Sequence, residues 1–290
     1  IQTEQSCDTA RFLFCSMGGF NEVGVRLKQL VFCGVVGLAT GRIIIFSSSS
    51  SNGGVVCNDD DDESGKECFF KRMYERCSPP LVDFDSGESV LPWTIDQEQQ
   101  NSSLVLRLDP WFVSSSLTWA VPGSGSKFAW IPHSFQPLFQ RLHIDSGLWI
   151  TGVVARHYLQ FDSSLIMNRL KMEFNEMEKT WKRPRVAIQI SPSSYTTDNL
   201  ALLVRNSLKS SDTSSVYVAL SDSCLSPATQ AVTESNNWFH APNSSSSSYC
   251  LLFDLMDMIK ADYLMIDTES QIGQIAQAMW YADHIVQSQP

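Results

Sequence analysis

The chain has 290 residues, enough to bury a core in one large domain or two smaller ones. Its 31 Asp and Glu residues outnumber its 21 Lys and Arg residues, which gives a formal net charge of −10. This acidic balance argues against a nucleic acid or an anionic membrane as the partner. No apolar run reaches the roughly 18 to 20 residues that a membrane-spanning helix needs.

The N-terminal segment has the order strand, loop, helix, strand. An apolar run at 12–15 precedes a glycine-rich loop at 16–24, a helix-length apolar segment at 25–40 and a second apolar run at 42–46. This order is the opening of a parallel α/β unit. The loop suits a phosphate or another anion, because it exposes backbone N–H groups at the positive end of a helix dipole. The same glycines are equally compatible with a tight connection that binds nothing.

Residues 47–92 interrupt this pattern with an irregular insertion. The insertion contains a serine run at 47–51 and a block of acidic residues at 59–63. Adjacent carboxylates lack the alternating spacing of a calcium loop, so they predict a solvated surface and no metal site.

Helix and strand patterns return after residue 132. Apolar spacing of three and four predicts helices at 148–159 and 164–181, and Pro184 ends the second of them. The remaining strands and helices alternate, and they are predicted at 186–190, 198–209, 216–220, 251–260, 263–266 and 271–286. We therefore expect an α/β protein of two Rossmann-like halves, residues 1–130 and 131–290, with a cleft between them.

Eight cysteines indicate the compartment. They are even in number and lack the C-x-x-C pairs or nearby histidines of a zinc site, which favours disulfides and an oxidising environment. The sequons at Asn101 and Asn243 are compatible with glycosylation in that environment. We therefore expect the secretory-pathway lumen or the extracellular space.

Several short pieces, in a common order and spacing, carry a family resemblance. They are Cys7, Cys15 and Cys33; 39–42; 148–150; 185–189; 251–255; 261–264; and 270–271. On these pieces, the sequence resembles the catalytic domain of the alpha-1,6-fucosyltransferases from Cys7 to about Ala282. That family adds core fucose to N-glycans.

The resemblance implies a GT-B-like fold and a Golgi or secreted enzyme. It implies GDP-fucose as the donor, the N-acetylglucosamine of an N-glycan core as the acceptor, and no metal or other cofactor. The residues it assigns to the donor are Gly18, Gly19, Asn21, Gly24, Asp222, Asp254, Ser270 and Gln271. Asp254 matches an aspartate that contacts the guanine region, although a helix residue satisfied by the local backbone is equally compatible. Ser270 and Gln271 start the last helix, which suits an anion or a plain N-cap.

The sequence departs from the family where the chemistry is expected. The family signature is His-x-Arg-Arg-x-Asp, and the corresponding run at 189–194 is Gln-Ile-Ser-Pro-Ser-Ser. Both arginines that would grip the diphosphate are therefore replaced. Asp198 lies one position away from the place of the family's acidic residue and is the candidate general base. Two hypotheses follow: a fucosyltransferase-like enzyme, or a domain that has lost catalysis and binds glycans or another partner.

The resemblance also suggests disulfide pairs. The family's disulfide in the glycine-rich loop is replaced by Asn21 and Val25, and its C-terminal disulfide by Ile266 and Gly273. Cys15 and Cys33 retain a pair that would link the first strand to the first helix. Cys7 with Cys57 or Cys68 is the second expected pair. Cys224 with Cys250 is a third, suggested only by proximity in sequence.

Overall fold

The computed structural model describes residues 11–16, 23–47, 88–90, 105–108, 141, 146–159, 180–190, 196, 199–208, 216–220, 225–241, 247–267 and 270–288. The chain divides into two compact units. The first comprises Ile1–Asn21 and Val25–Ser163, and the second comprises Glu22–Gly24 and Ser164–Pro290.

The first unit is built on a parallel sheet. Its elements in chain order are β1 (Phe12–Ser16), α1 (Val23–Thr40), β2 (Ile43–Ser47), β3 (Glu88–Val90), β4 (Val105–Leu108) and α2 (Ser146–Tyr158). The strand order is β2-β1-β4-β3, so β1 has a parallel neighbour on each side. The carboxyl end of this central strand leads into the glycine-rich loop.

A tight turn returns the chain from α1 to β2. Gly41 has a φ of 62°, and the Arg42 N–H donates to the Gly37 carbonyl over 2.9 Å. This is the Schellman arrangement, which needs a residue that tolerates the left-handed conformation. The buried Arg42 side chain then donates from Nη1 to the Phe12 carbonyl over 3.2 Å, which fixes the start of β1.

The second unit is also parallel. Its elements are β5 (Val186–Ile190), α3 (Leu200–Leu208), β6 (Val216–Leu220), α4 (Pro227–Ser235), α5 (Ser247–Met258), β7 (Tyr263–Met265) and α6 (Gln271–Ser288). The strand order is β6-β5-β7, with Val186 opposite both Val216 and Tyr263. The chain therefore passes from β5 to β6 on one side, and β7 later pairs with β5 on its other side.

The two faces of this sheet differ in composition. Successive side chains of a strand point in opposite directions, so each strand contributes to both faces. Ile188, Ile190, Val216 and Val218 join one apolar cluster with Leu200, Val204, Leu225 and Trp238. The alternate positions include Gln189 and Tyr217, which are also buried. Both faces are thus covered at β5 and β6, as expected of a parallel sheet, whereas Tyr263 and Met265 of β7 are exposed. Gln189 and Tyr217 are the buried polar side chains of the second face.

The α/β class and the parallel strands expected from the sequence are confirmed. The strands at 186–190 and 216–220 have the expected bounds, and the other described elements that were expected differ by a few residues at one or both ends. Helix α4 was not expected; Ser226 caps it and Pro227 occupies its first turn. None of the helices that the structure describes has the length and apolarity to cross a bilayer.

Candidate functional site

Two polar residues of the second unit, Gln189 and Ser270, lie where its strand order reverses. Strand β5 has β6 on one side and β7 on the other, so the carboxyl ends of β5 and β7 flank a topological switch point. Open α/β sheets bind ligands in the crevice outside such ends. Gln189 lies next to the last residue of β5, and Ser270 follows β7 at the start of α6. This switch point, with Gln189, Ser270 and the first turn of α6, is the candidate site.

Ser270 is the N-cap of α6. Its Oγ accepts the Gly273 N–H over 3.1 Å, and its carbonyl accepts the Gln274 N–H over 3.0 Å. Two first-turn N–H groups, those of Gln271 and Ile272, have no acceptor among the described residues. The helix therefore presents donors and the positive end of its dipole, as an anion requires.

Gln189 connects β5 to this helix start. Its Nε2 donates to Ser270 Oγ over 2.7 Å, and the side chain is 4% exposed. Its Oε1 has no hydrogen-bond partner among the described residues. A Cβ built on Gly273 would overlap this oxygen, so the glutamine occupies space that only glycine leaves open. Gln189 was not among the residues predicted for the site. Its sequence signal is that it is the only polar residue of an otherwise apolar strand.

Gly24, where the predicted glycine-rich loop ends, is the second residue of α1 but groups with the second unit. A Cβ on this residue would lie 3.3 Å from Cβ of Gln271 and 3.3 Å from Cγ1 of Ile272. The structure thus brings together three residues predicted for the donor: Gly24, Ser270 and Gln271. Any side chain at position 24 would press on the first turn of α6.

Asp254 lies in α5, inside the second unit, and its carboxylate accepts a hydrogen bond from Tyr217. The distance from the Tyr217 hydroxyl to Asp254 Oδ1 is 2.6 Å, and Asp254 is 2% exposed. Burial raises the pKa of Asp254 to about 8, against the opposing effect of the Tyr217 hydrogen bond. The sequence suggested either a guanine contact or a local backbone bond for Asp254, and the partner in the structure is Tyr217 on β6.

Asp257 lies one turn further along α5 and is completely buried. Tyr217 has one hydroxyl proton and gives it to Asp254, and neither oxygen of Asp257 has a hydrogen-bond partner among the described residues. Burial, and next the charge of Asp254, raise the pKa of Asp257 well above its usual range. Burial therefore favours the protonated form of both carboxyl groups.

The remaining site predictions divide into two groups. The Cys15–Cys33 disulfide is confirmed, and Cys250 also takes part in a disulfide. The residues that lie outside the described ranges are Cys7, Gly18, Gly19, Asn21, Cys68, Asn101, Asp198, Asp222, Cys224 and Asn243. Within the described ranges, no group of three or more His, Cys, Asp or Glu side chains is arranged to hold a metal ion.

No protein-family model matches the sequence, and no curated protein matches it either. Solved structures do match. The NodZ alpha-1,6-fucosyltransferase soaked with GDP-fucose aligns over 92% of this chain and 93% of its own, at 10% identity and a TM-score of 0.54. The fucosyltransferase NodZ from Bradyrhizobium aligns over 91% and 92%, at 11% identity and a TM-score of 0.51.

A plant enzyme gives the same result. A mutant of FUT1 from Arabidopsis thaliana, in complex with GDP, aligns over 94% of this chain and 69% of its own, at 12% identity and a TM-score of 0.54. Identities this low speak to the fold. The chain has the fold of these fucosyltransferases.

Proposed function

We propose that this protein transfers fucose from GDP-fucose to the core N-acetylglucosamine of an N-glycan in the secretory pathway, with Golgi or secreted location. One observation carries the proposal: more than nine-tenths of the chain shares its fold with an alpha-1,6-fucosyltransferase soaked with GDP-fucose. The switch point of the second unit adds support, because its helix start offers donors for a diphosphate.

In this proposal, the donor meets the first turn of α6 through its diphosphate. The family resemblance assigns Gly18, Gly19, Asn21 and Gly24 to the donor. Ser270 and the N–H groups of Gln271 and Ile272 bind its phosphate oxygens. These neutral donors replace the two arginines of the family signature. A hydrogen bond to a charged group contributes about 1.5–3 kcal/mol, so several of them offset part of the loss.

The reaction needs three events at the anomeric carbon. An acceptor hydroxyl attacks that carbon, Asp198 takes the hydroxyl proton, and the bond to the phosphate oxygen breaks so that GDP leaves with the electron pair. Asp222 is assigned to the sugar or the base of the donor. Asp254 is buried and accepts the Tyr217 hydroxyl, so a guanine contact of Asp254 is not part of this proposal. No metal is part of this proposal, since the diphosphate is bound by N–H and O–H donors.

A second function is favoured by the run at 189–194. It contains no basic residue, so the strongest stabilisation of a departing diphosphate in the resembled family is absent. A domain with this fold but without turnover would bind glycans or a secreted partner.

Calorimetric titration of GDP, GDP-fucose and ADP into the purified chain tests the donor site. We expect micromolar binding of both guanine ligands and weaker binding of ADP. Ser270→Ala should weaken GDP about tenfold or more, the effect of one charge-assisted hydrogen bond. No binding at millimolar GDP would contradict the proposed enzyme.

A matched control separates the ligand contact from helix capping. Ser226 caps α4 in the same unit, where its Oγ accepts the Thr229 N–H over 3.2 Å. Ser226→Ala and Ser270→Ala should each lower the free energy of unfolding by about 1 kcal/mol. Only Ser270→Ala should change the affinity for GDP.

Turnover distinguishes the two functions. Release of GDP from GDP-fucose in the presence of an N-glycan, lost in Asp198→Asn, would support the enzyme. Donor binding without release, whichever glycan is supplied, would support the second function.

A further inference from the structure

We propose that Gln189 is the positioning residue of the anion site at α6: its amide sets the Ser270 hydroxyl as a donor towards the ligand. The inference rests on the proposed function for the identity of that ligand, a nucleoside diphosphate sugar. It adds a residue that the family resemblance does not assign, since the resembled family has a histidine at this position.

The Ser270 hydroxyl can accept two hydrogen bonds and donate one. A serine oxygen has two lone pairs and one proton. Gln189 Nε2 donates to this oxygen over 2.7 Å, and the Gly273 N–H donates to it over 3.1 Å. Both lone pairs are thus engaged, and the hydroxyl proton is left to donate. No acceptor for that proton exists among the described residues.

The two donors to Ser270 Oγ also fix the direction of its own proton. The two donors come from β5 and from the helix interior, so the remaining proton of Ser270 faces away from both. The N–H groups of Gln271 and Ile272 share the same helix start and also have no acceptor in the described part of the chain. Three donors without a described acceptor therefore belong to the N-terminal end of α6, where a phosphate group is favoured.

A glutamine at position 189 lowers the stability of the fold. Its Oε1 is buried and has no hydrogen-bond partner among the described residues, which costs about 1–3 kcal/mol. In its observed position this oxygen also fills the space of a Cβ at 273, and the glycine found there is less favourable than alanine in the first turn of a helix. An apolar residue would fill this position in β5 without either penalty. The amide is therefore explained by its bond to Ser270 and not by packing.

The test uses inorganic diphosphate, GDP and guanosine as calorimetric probes of the full chain. Gln189→Met keeps the length of the side chain and removes the amide. We expect it to weaken diphosphate and GDP about fivefold to tenfold and to leave guanosine unchanged. A merely structural role would weaken all three ligands alike. Unchanged diphosphate binding would overturn the inference.

A matched control and a double variant make the test specific. Gln230 is a buried glutamine of the same unit whose Nε2 donates to the Leu225 carbonyl, far from α6 in the sequence. Gln230→Met should change the melting temperature but none of the three affinities. In a Ser270→Ala background, Gln189→Met should have no further effect on diphosphate, because it acts through that hydroxyl. Additive losses would overturn the inference.

The outcomes separate this inference from the proposed function. A chain that binds diphosphate but not GDP overturns the nucleotide donor alone, and the variants still decide the role of Gln189. A chain that binds neither overturns both. If Gln189→Met does not fold, Gln189→Glu takes its place. Its carboxylate accepts the Ser270 proton, so diphosphate binding should fall further while the link between β5 and α6 persists. Full diphosphate affinity in Gln189→Glu would contradict the inference.

Discussion

Replacing Asp254 by asparagine tests the buried acid pair of the second unit. The carboxyl of Asp254 has a pKa of about 8 in the folded protein, mainly because of burial, and an aspartate in an unfolded chain has a pKa of about 3.9. Between these values, the folded state keeps a proton that the unfolded state has released. Stability from this group is therefore complete below about pH 4 and is lost as the pH rises towards 8.

One proton sets the size of the change in the free energy of unfolding with pH. Where the folded state binds one proton more than the unfolded state, the free energy of unfolding falls by about 1.4 kcal/mol per pH unit. From pH 5 to pH 7, Asp254 alone should lower it by about 2.7 kcal/mol. Asparagine has no proton to lose in this range, and its amide oxygen still accepts the Tyr217 hydrogen bond. The variant should thus lack this part of the pH dependence.

The assay is urea unfolding at pH 5, 6 and 7, followed by circular dichroism. We expect the difference in free energy between Asp254→Asn and the wild type to shift in favour of the variant by roughly 2–3 kcal/mol over this range. Leu202→Ala is the control, because Leu202 is 62% exposed and carries no ionisable group. Its pH dependence should follow that of the wild type. If Asp254→Asn and the wild type have parallel pH profiles, Asp254 is ionised in the fold and the reasoning fails.

Three further predictions concern the first unit. Joint replacement of Cys15 and Cys33 by serine opens a cross-link between residues 18 apart and should cost about 3 kcal/mol; an unchanged melting temperature without reductant would contradict it. A Cβ at Gly37 would lie 2.5 Å from Cγ1 and 2.7 Å from Cδ1 of Ile44, so Gly37→Ala should cost about 1–3 kcal/mol in urea unfolding. Ile44→Ala in the same chain should cost less than the sum of the single changes, and additive costs would exclude this clash. At Gly41, with a φ of 62° and open space around it, alanine should lower the free energy of unfolding by about 1–2 kcal/mol and asparagine by less; equal losses would argue against backbone strain.

The regular elements were predictable because their signals are local. Val186–Ile190 and Val216–Leu220 are short apolar runs between polar segments, and the structure gives them the expected bounds. Helix α4 was missed because its apolar residues are few and small, so it lacks a clear stripe. Its start signals were nevertheless present, a serine at the cap followed by a proline.

The contacts of the site were not predictable, because they join residues that are remote in sequence. Gln189 and Ser270 are 81 positions apart, and Tyr217 and Asp254 are 37 apart. Neither pair follows from periodicity, since each needs the strand order and the helix placement first. The resemblance did identify Ser270 and Asp254 as residues of interest. It did not identify their partners, Gln189 on β5 and Tyr217 on β6.

Two departures from the resembled family are one physical change. The family has a histidine where this chain has Gln189, and it has a cysteine of its C-terminal disulfide where this chain has Gly273. A cysteine at 273 would bring a Cβ into the space of Gln189 Oε1. In the observed rotamer of Gln189, its amide and a side chain at 273 therefore compete for the same space. The hydrogen bond from Gln189 to Ser270 joins β5 to the start of α6, and it holds the amide where a cysteine at 273 would need room.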